Sequence, residues 1–268
     1  IFQAFTFLLN AQDSKLFSRE FLDLLNNEIS GEIAYGHVVN LSGWPKNRPA
    51  KEYTDLFYET KYVMEKAREY GLDQTDLEVF PWKYSCWDPV SAELWMVQPE
   101  KRKITGLEMV HLCLMEGSKN ADVTAELIDV GSGTSPDDYT GKDVAGKIVL
   151  CSGNESKVNT LAVHERGALG IIGYRSYYPD EYPDMVSWGG VNNEMIGMDE
   201  KSTFGFMLSP RQGHQLKRML AQGLKVKVHA RVHVESHPGK LDVIQTVIPG
   251  GELPKEESLL MAHLFEYY

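Results

Sequence analysis

The spacing of hydrophobic positions changes several times along the chain, and each change marks an element. Phe17, Phe21, Leu24, Leu25 and Ile29 recur at three- and four-residue intervals. This predicts an amphipathic helix over 17–29, ended by Ser30-Gly31. Tyr35 to Asn40 reads as a turn or short strand. Leu41 to Ala50 is a loop punctuated by Gly and Pro that contains Trp44 and Arg48. A second helix is expected over 52–70, with Leu56, Tyr62 (or Val63), Ala67 and Tyr70 inward. Lys61, Glu65, Lys66, Arg68 and Glu69 form its solvated face, and Gly71 caps it. Leu77 to Pro81 alternates like a strand stopped by proline. Ala92–Val97 and Leu107–Leu114 read as two more strands around a basic turn at Glu100–Lys103.

Gly117 to Ala121 reads as a linker, and the texture changes after it. Expected strands are 125–130, 144–150, 168–174, 205–209 and the alternating run 225–234. Between them lie a tight turn at Gly131-Ser-Gly133 and a proline-led helical turn at 135–139. A helix over 161–167 ends in glycine, and another runs from Ser209-Pro210 through Leu220 to a cap at Gly223. Val243, Ile244, Val247 and Ile248 then form a β-branched run broken by Pro249-Gly250-Gly251. After the polar stretch 252–257 comes a second apolar run, Leu259 to Ala262, and His263 follows it directly. Helices and strands thus interleave in a mixed α/β (α+β) arrangement. The expected divisions are 1–120, 121–240 and 241–268.

Composition narrows the classes. At 43% hydrophobic over 268 residues, with aromatics throughout, the chain can bury a sizeable core and is not expected to be disordered. Its formal net charge of -11 argues against nucleic acid as a partner, because neutralising phosphates needs a basic face. No apolar run reaches the 18 residues of a transmembrane helix. Ile1 to Leu9 is apolar and uncharged, and Ala11 follows as a small residue before Gln12-Asp13-Ser14. That pattern fits either the tail of a secretion signal or a helix packed on the domain. Cys86, Cys113 and Cys151 are odd in number and widely spaced. They make neither a disulfide framework nor a zinc knuckle, and they leave the redox compartment open.

Several residues invite chemistry. His263 ends an apolar run, and ligands in open α/β sheets gather beyond the carboxyl ends of strands. His229 and His233 share one strand, about 13 Å apart, too far for a single zinc with bonds of about 2 Å. They read, with Arg231, as a polar strand face. His214 reads as a solvated helix residue. The glycines of 167–173 do not follow a strand and open a helix, so they do not form a phosphate loop. The absence of G-x-S-x-G leaves a serine hydrolase without support. Trp82, Tyr84, Trp87 and Trp95 fit interior packing better than a stacking surface. The loop 177–184 mixes tyrosines with carboxylates and suits the rim of a cleft (with Trp188-Gly189-Gly190), a calcium site held through oxygens, or a plain surface turn.

Two stretches resemble a known family. The strand ending in I-P-G, the acidic loop, and the second strand ending in Ala262-His263-Leu264 look like the start of the catalytic domain in two-zinc aminopeptidases of the glutamate carboxypeptidase and transferrin-receptor group. D-V-G-S-G at 129–133, D-V-A-G-K-I-V-L at 143–150 and H-E-R-G-A-L-G-I-I at 164–172 resemble, in order, the protease-associated domain inserted in many of these peptidases. The resemblance implies an α/β zinc-peptidase domain that begins, is interrupted by a β-rich protease-associated domain, and resumes at 241. It implies His263 as a zinc ligand, two zinc ions in the complete protein, a peptide substrate and a secreted or periplasmic location. Where the family carries an orienting aspartate, this chain has Phe265, with Glu266 the nearest acid. The family's general base and other ligands lie downstream of the histidine, so the chain as given is expected to be an inert N-terminal piece. The alternative is a non-catalytic protease-associated module that binds peptides or proteins. Amino- versus carboxypeptidase action and oligomeric state stay open.

Overall fold

The computed structural model describes residues 17–43, 50–191 and 203–251, with 83–85 described by backbone alone. The chain divides into two compact units, Ile1–Pro45 and Lys46–Tyr268. In the first, α1 (Arg19–Glu28) and α2 (Gly31–Ser42) each start at a serine whose hydroxyl accepts an amide of the first turn: Ser18 from Phe21, and Ser30 from Ile33. The turn or strand expected at 35–40 is therefore helix. The serine cap at 30 outweighs the β-branched residues that follow.

In the second unit the long helix expected over 52–70 is broken. A 3-10 turn (Ala50–Thr54) precedes α3 (Tyr58–Glu69), and Asp55 takes the amide of Leu56 on its side chain at the break. Gly71, at φ 77°, closes α3 as expected. Ala67 is buried, whereas Tyr70 faces solvent.

A mixed sheet follows, in the order β2-β1-β7-β3-β4-β5-β6. Its strands are β1 (Thr75–Gln98), β2 (Arg102–Gly106), β3 (Ala121–Asp129), β4 (Ile148–Cys151), β5 (Gly170–Gly173), β6 (Phe204–Met207) and β7 (Lys227–Thr246). β3 to β6 pair in parallel, and β1, β2 and β7 are antiparallel. Four short helical segments lie among them in the described residues: the 3-10 turns His111–Cys113 and Pro136–Tyr139, α4 (Glu155–Val158) continuing as a π-helical turn to His164, and α5 (Pro210–Ala221). The fold is mixed α/β, as the interleaved pattern predicts.

The strands predicted at 77–81 and 92–97 are one strand. Pro81 and Pro89 do not stop it, because there β1 is paired on one side only, and the register shifts after each proline. The runs at 225–234 and 243–248 likewise merge into β7. The boundaries expected at 120/121 and 240/241 fall at the start of β3 and inside β7.

Leu107–Leu114 is not a strand. The chain turns at Gly106, whose carbonyl accepts the amides of Met109 and Val110, and a 3-10 turn occupies His111–Cys113. The strand lies in the supposed turn instead, at 102–106. Nor is 117–121 a linker. Ser118 is fully buried; its hydroxyl bonds the Met115 carbonyl at 2.7 Å and takes the Gly205 amide at 3.0 Å, and its carbonyl receives Trp87 Nε1 at 2.8 Å. Apolar side chains fill both faces. Leu94, Leu127, Ile148, Leu150, Ile172, Phe206 and Leu216 pack on one side, and Met115, Val149, Ile171 and Met207 on the other.

Candidate functional site

The long antiparallel ribbon of β1 and β7 controls where the chain goes on leaving the sheet. Its inner half lies in the seven-stranded sheet, and its outer half pairs Thr75–Pro81 with Lys240–Thr246. Three sets of polar contacts fix that outer half. Thr75 and Thr246 exchange a hydroxyl bond at 2.8 Å across the strands, and the Val247 amide donates to the Gln74 carbonyl at 3.0 Å. From α3, Thr60 donates to Asp242 Oδ2 at 2.9 Å. Lys240 Nζ stands 3.0 Å from Asp242 Oδ1, off the direction of a hydrogen bond, so the contact is an ion pair; the same ammonium lies 4.6 Å over the Phe57 ring. Asp242 is therefore a buried carboxylate hydrogen-bonded from α3 at Oδ2 and ion-paired along its own strand at Oδ1, and it ties helix to ribbon.

Nearer the sheet is a second buried pair. His237 Nε2 meets Asp88 Oδ2 at 2.8 Å, and His237 Nδ1 meets the Pro238 carbonyl at 2.8 Å. The Tyr53 ring packs edge-on against the imidazole at 4.7 Å. Both ring nitrogens face oxygen atoms, so the imidazole is clamped in one orientation. Residue patterning gave no warning of this pair, since residues so far apart in sequence meet only through strand register.

A third pair lies at the far end of the parallel strands. Glu155, 2% exposed, receives Arg175 Nε and one Nη at 3.2 Å each, and the guanidinium continues over the Tyr177 ring at 5.4 Å. Donating these bonds to Glu155 raises the affinity of Arg175 for its proton.

His263 lies outside the described residues, as do Phe265 and Glu266. Among the described residues no three His, Cys, Asp or Glu side chains assemble to hold a metal. This part of the chain does not fit a zinc site by itself. His229 bonds Asp122 at 2.7 Å, and Arg231 stands 3.6 Å from the same carboxylate. The His229 bond first, and then the charge of Arg231, hold the Asp122 carboxyl below the usual range. Asp122, Arg231 and His233 line a shallow surface depression of about 420 Å³ with Asn120, Ala121 and Val232, a polar strand face as expected. The three cysteines are free thiols. Burial pushes the Cys113 thiol up to about 12 and Cys151 higher still, so neither is a nucleophile near neutrality. Gly167, at φ 73°, ends the helical turn and Gly170–Gly173 is β5, which leaves no phosphate cradle. Among the described residues no helix is long and apolar enough to cross a membrane.

No family model matches the sequence, and no curated protein matches it. Solved structures do match in fold. The chain is similar to an aminopeptidase from Aneurinibacillus sp. strain AM-1, at 23% identity and TM-score 0.52, over 83% of this chain and 49% of that one. It is similar to a zinc aminopeptidase from Bacillus subtilis at 17% identity and TM-score 0.53, over 81% and 47%. A peptidase M28 precursor from Shewanella amazonensis aligns at 16% identity and TM-score 0.52, over 79% and 49%. The chain spans about half the length of each, and at these identities the likeness is one of fold.

Proposed function

We propose that the chain is the N-terminal half of a zinc-dependent exopeptidase that hydrolyses peptides outside the cytoplasm. In this reading 1–120 begins the peptidase scaffold, 121–240 is a protease-associated domain and 241–268 resumes the peptidase domain. The observation that carries it is the fold shared over 79–83% of this chain with 47–49% of those aminopeptidases. The ribbon adds support. It holds the chain firmly to Val247, and the I-P-G turn and the motif ending in His263 follow directly.

In the complete protein His263 supplies one ligand to a pair of zinc ions, which would polarise the scissile carbonyl and provide hydroxide. A catalytic zinc takes about three protein ligands, so one histidine does not make a site. The 268-residue chain by itself is accordingly inert. The described residues carry the chain to Gly251, short of His263, and no hydrolytic step is assigned to them. A second reading, a non-catalytic peptide-binding module, is favoured by the exposed tyrosine loop at 177–182.

The test pairs zinc analysis with hydrolysis of aminoacyl p-nitroanilides. The chain as given should bind no stoichiometric zinc and show no turnover. The protein extended along its reading frame should turn over; His263→Ala should abolish this in the extended protein and do little to the stability of the 268-residue chain. Normal turnover in that variant would sink the assignment, and tight zinc with activity in the short chain would refute its inertness. A tagged protein recovered from the cytoplasm alone would overturn the location.

A further inference from the structure

We propose that the loop 177–184 is a docking site for the lysine or arginine side chains of a peptide partner, a property that goes beyond hydrolysis and does not depend on it. Tyr177, Tyr178 and Tyr182 are 70%, 58% and 58% exposed, an unusual concentration of aromatic surface for a single turn. The loop is held in place. The Tyr182 amide donates to the Tyr178 carbonyl at 2.9 Å, the Arg211 amide donates to the Pro183 carbonyl, and the Arg211 guanidinium forks onto Asp184 at 2.6 and 3.0 Å.

The Tyr178 and Tyr182 rings stand 6.3 Å apart with their planes at 86°. A sugar-stacking surface needs a flat platform, which rings at right angles do not make. An exposed tyrosine face attracts a cation set within about 6 Å of the ring centroid. Asp180 and Glu181 lie in sequence between the rings, and no cation among the described residues pairs with them. The nearby guanidiniums are already engaged, Arg175 with Glu155 and Arg211 with Asp184. One ring of the loop takes a guanidinium within the molecule, since Arg175 lies over Tyr177 at 5.4 Å. The net charge of -11 draws a cationic partner toward this surface.

The experiment is fluorescence anisotropy on the purified protein with a labelled lysine- and arginine-rich peptide, a glutamate-rich peptide of equal length, and a chito-oligosaccharide competitor. The cationic peptide should bind and the acidic one should not. The double variant Tyr178→Ala, Tyr182→Ala should weaken binding at least tenfold, while Tyr178→Phe, which keeps the ring face, should retain it. Asp180→Asn with Glu181→Gln should weaken binding severalfold and flatten its salt dependence. These are surface positions, and an unchanged melting temperature confirms the fold. Absence of binding, wild-type affinity in the alanine variant, or competition by the sugar would each overturn the proposal. Because only binding is read, failure here is separate from failure of the peptidase reading.

Discussion

Arg175→Ala should be among the most damaging single changes outside the apolar interior. Both oxygens of Glu155 accept from Arg175, and the carboxylate is 2% exposed. Packing around the Glu155 side chain is close: a methyl group added at Gly173 would meet its Cγ at 3.3 Å and the Met207 sulfur at 2.9 Å. Stranding a buried charge costs about 3–5 kcal/mol. Arg175 keeps 23% of its side-chain surface in water, so the lower end, about 3 kcal/mol, applies. For a unit of this size that corresponds to a melting temperature lower by roughly 6–12 °C. Glu155→Gln should cost less, about 1 kcal/mol, because the remaining arginine can turn to solvent. The assay is urea and thermal unfolding of both single variants and of Arg175→Ala with Glu155→Gln. The double variant should be more stable than Arg175→Ala, since neither charge is left alone. A loss below about 1 kcal/mol for Arg175→Ala, or simple additivity in the double variant, would refute the argument.

Gly213→Ala should destabilise by about 1–3 kcal/mol in chemical unfolding, because the new methyl would land in the buried Tyr174 ring. Asp138→Asn should lower the melting temperature at neutral pH. The Ser132 hydroxyl first, and then the Ser135 and Thr134 amides, hold the Asp138 carboxyl below its ordinary value of 3.8. A depressed folded value means the stabilisation is present above 3.8 and is lost as pH falls through the lower folded value. The gap between wild type and variant should therefore close on acidification, and a gap that widens would contradict the assignment. Cys113 and Cys151 should resist a thiol reagent at pH 8 in the native protein and react fully in guanidinium, because burial raises both thiols.

Local signals were legible where one residue type decides the backbone. Ser209-Pro210 opening α5, the proline-led turn at 136–139 and Gly71 closing α3 all follow from caps and fixed angles. Signals failed where tertiary pairing overrides local chemistry. Pro81 read as a strand end, yet β1 passes through it, and through Pro89, because one of its edges needs no donor there. Gly117-Ser118 read as a linker from composition, although Ser118 joins three segments beneath the surface. The candidate site divides in the same way. The run ending in His263 is visible as a motif but lies outside the described residues. The pairs Asp88–His237 and Thr60–Asp242 join residues 149 and 182 positions apart and carry no signature in either partner's neighbourhood.

The ribbon has a consequence for how the molecule is made. Thr75 and Thr246, hydrogen-bonded at its outer end, are 171 residues apart. Closing so large a loop before any contact compensates for it is slow, whereas β3 to β6 are joined by much shorter connections. During synthesis β1 emerges with only β2 to pair with, and Leu94 and Met96, fully buried in the finished sheet, must wait for residues 227–246. Nascent chains stalled before Lys227 should therefore bind a chaperone or a hydrophobic dye, and chains released after Thr246 should not. β7, the last strand among the described residues, closes both halves of the sheet at once.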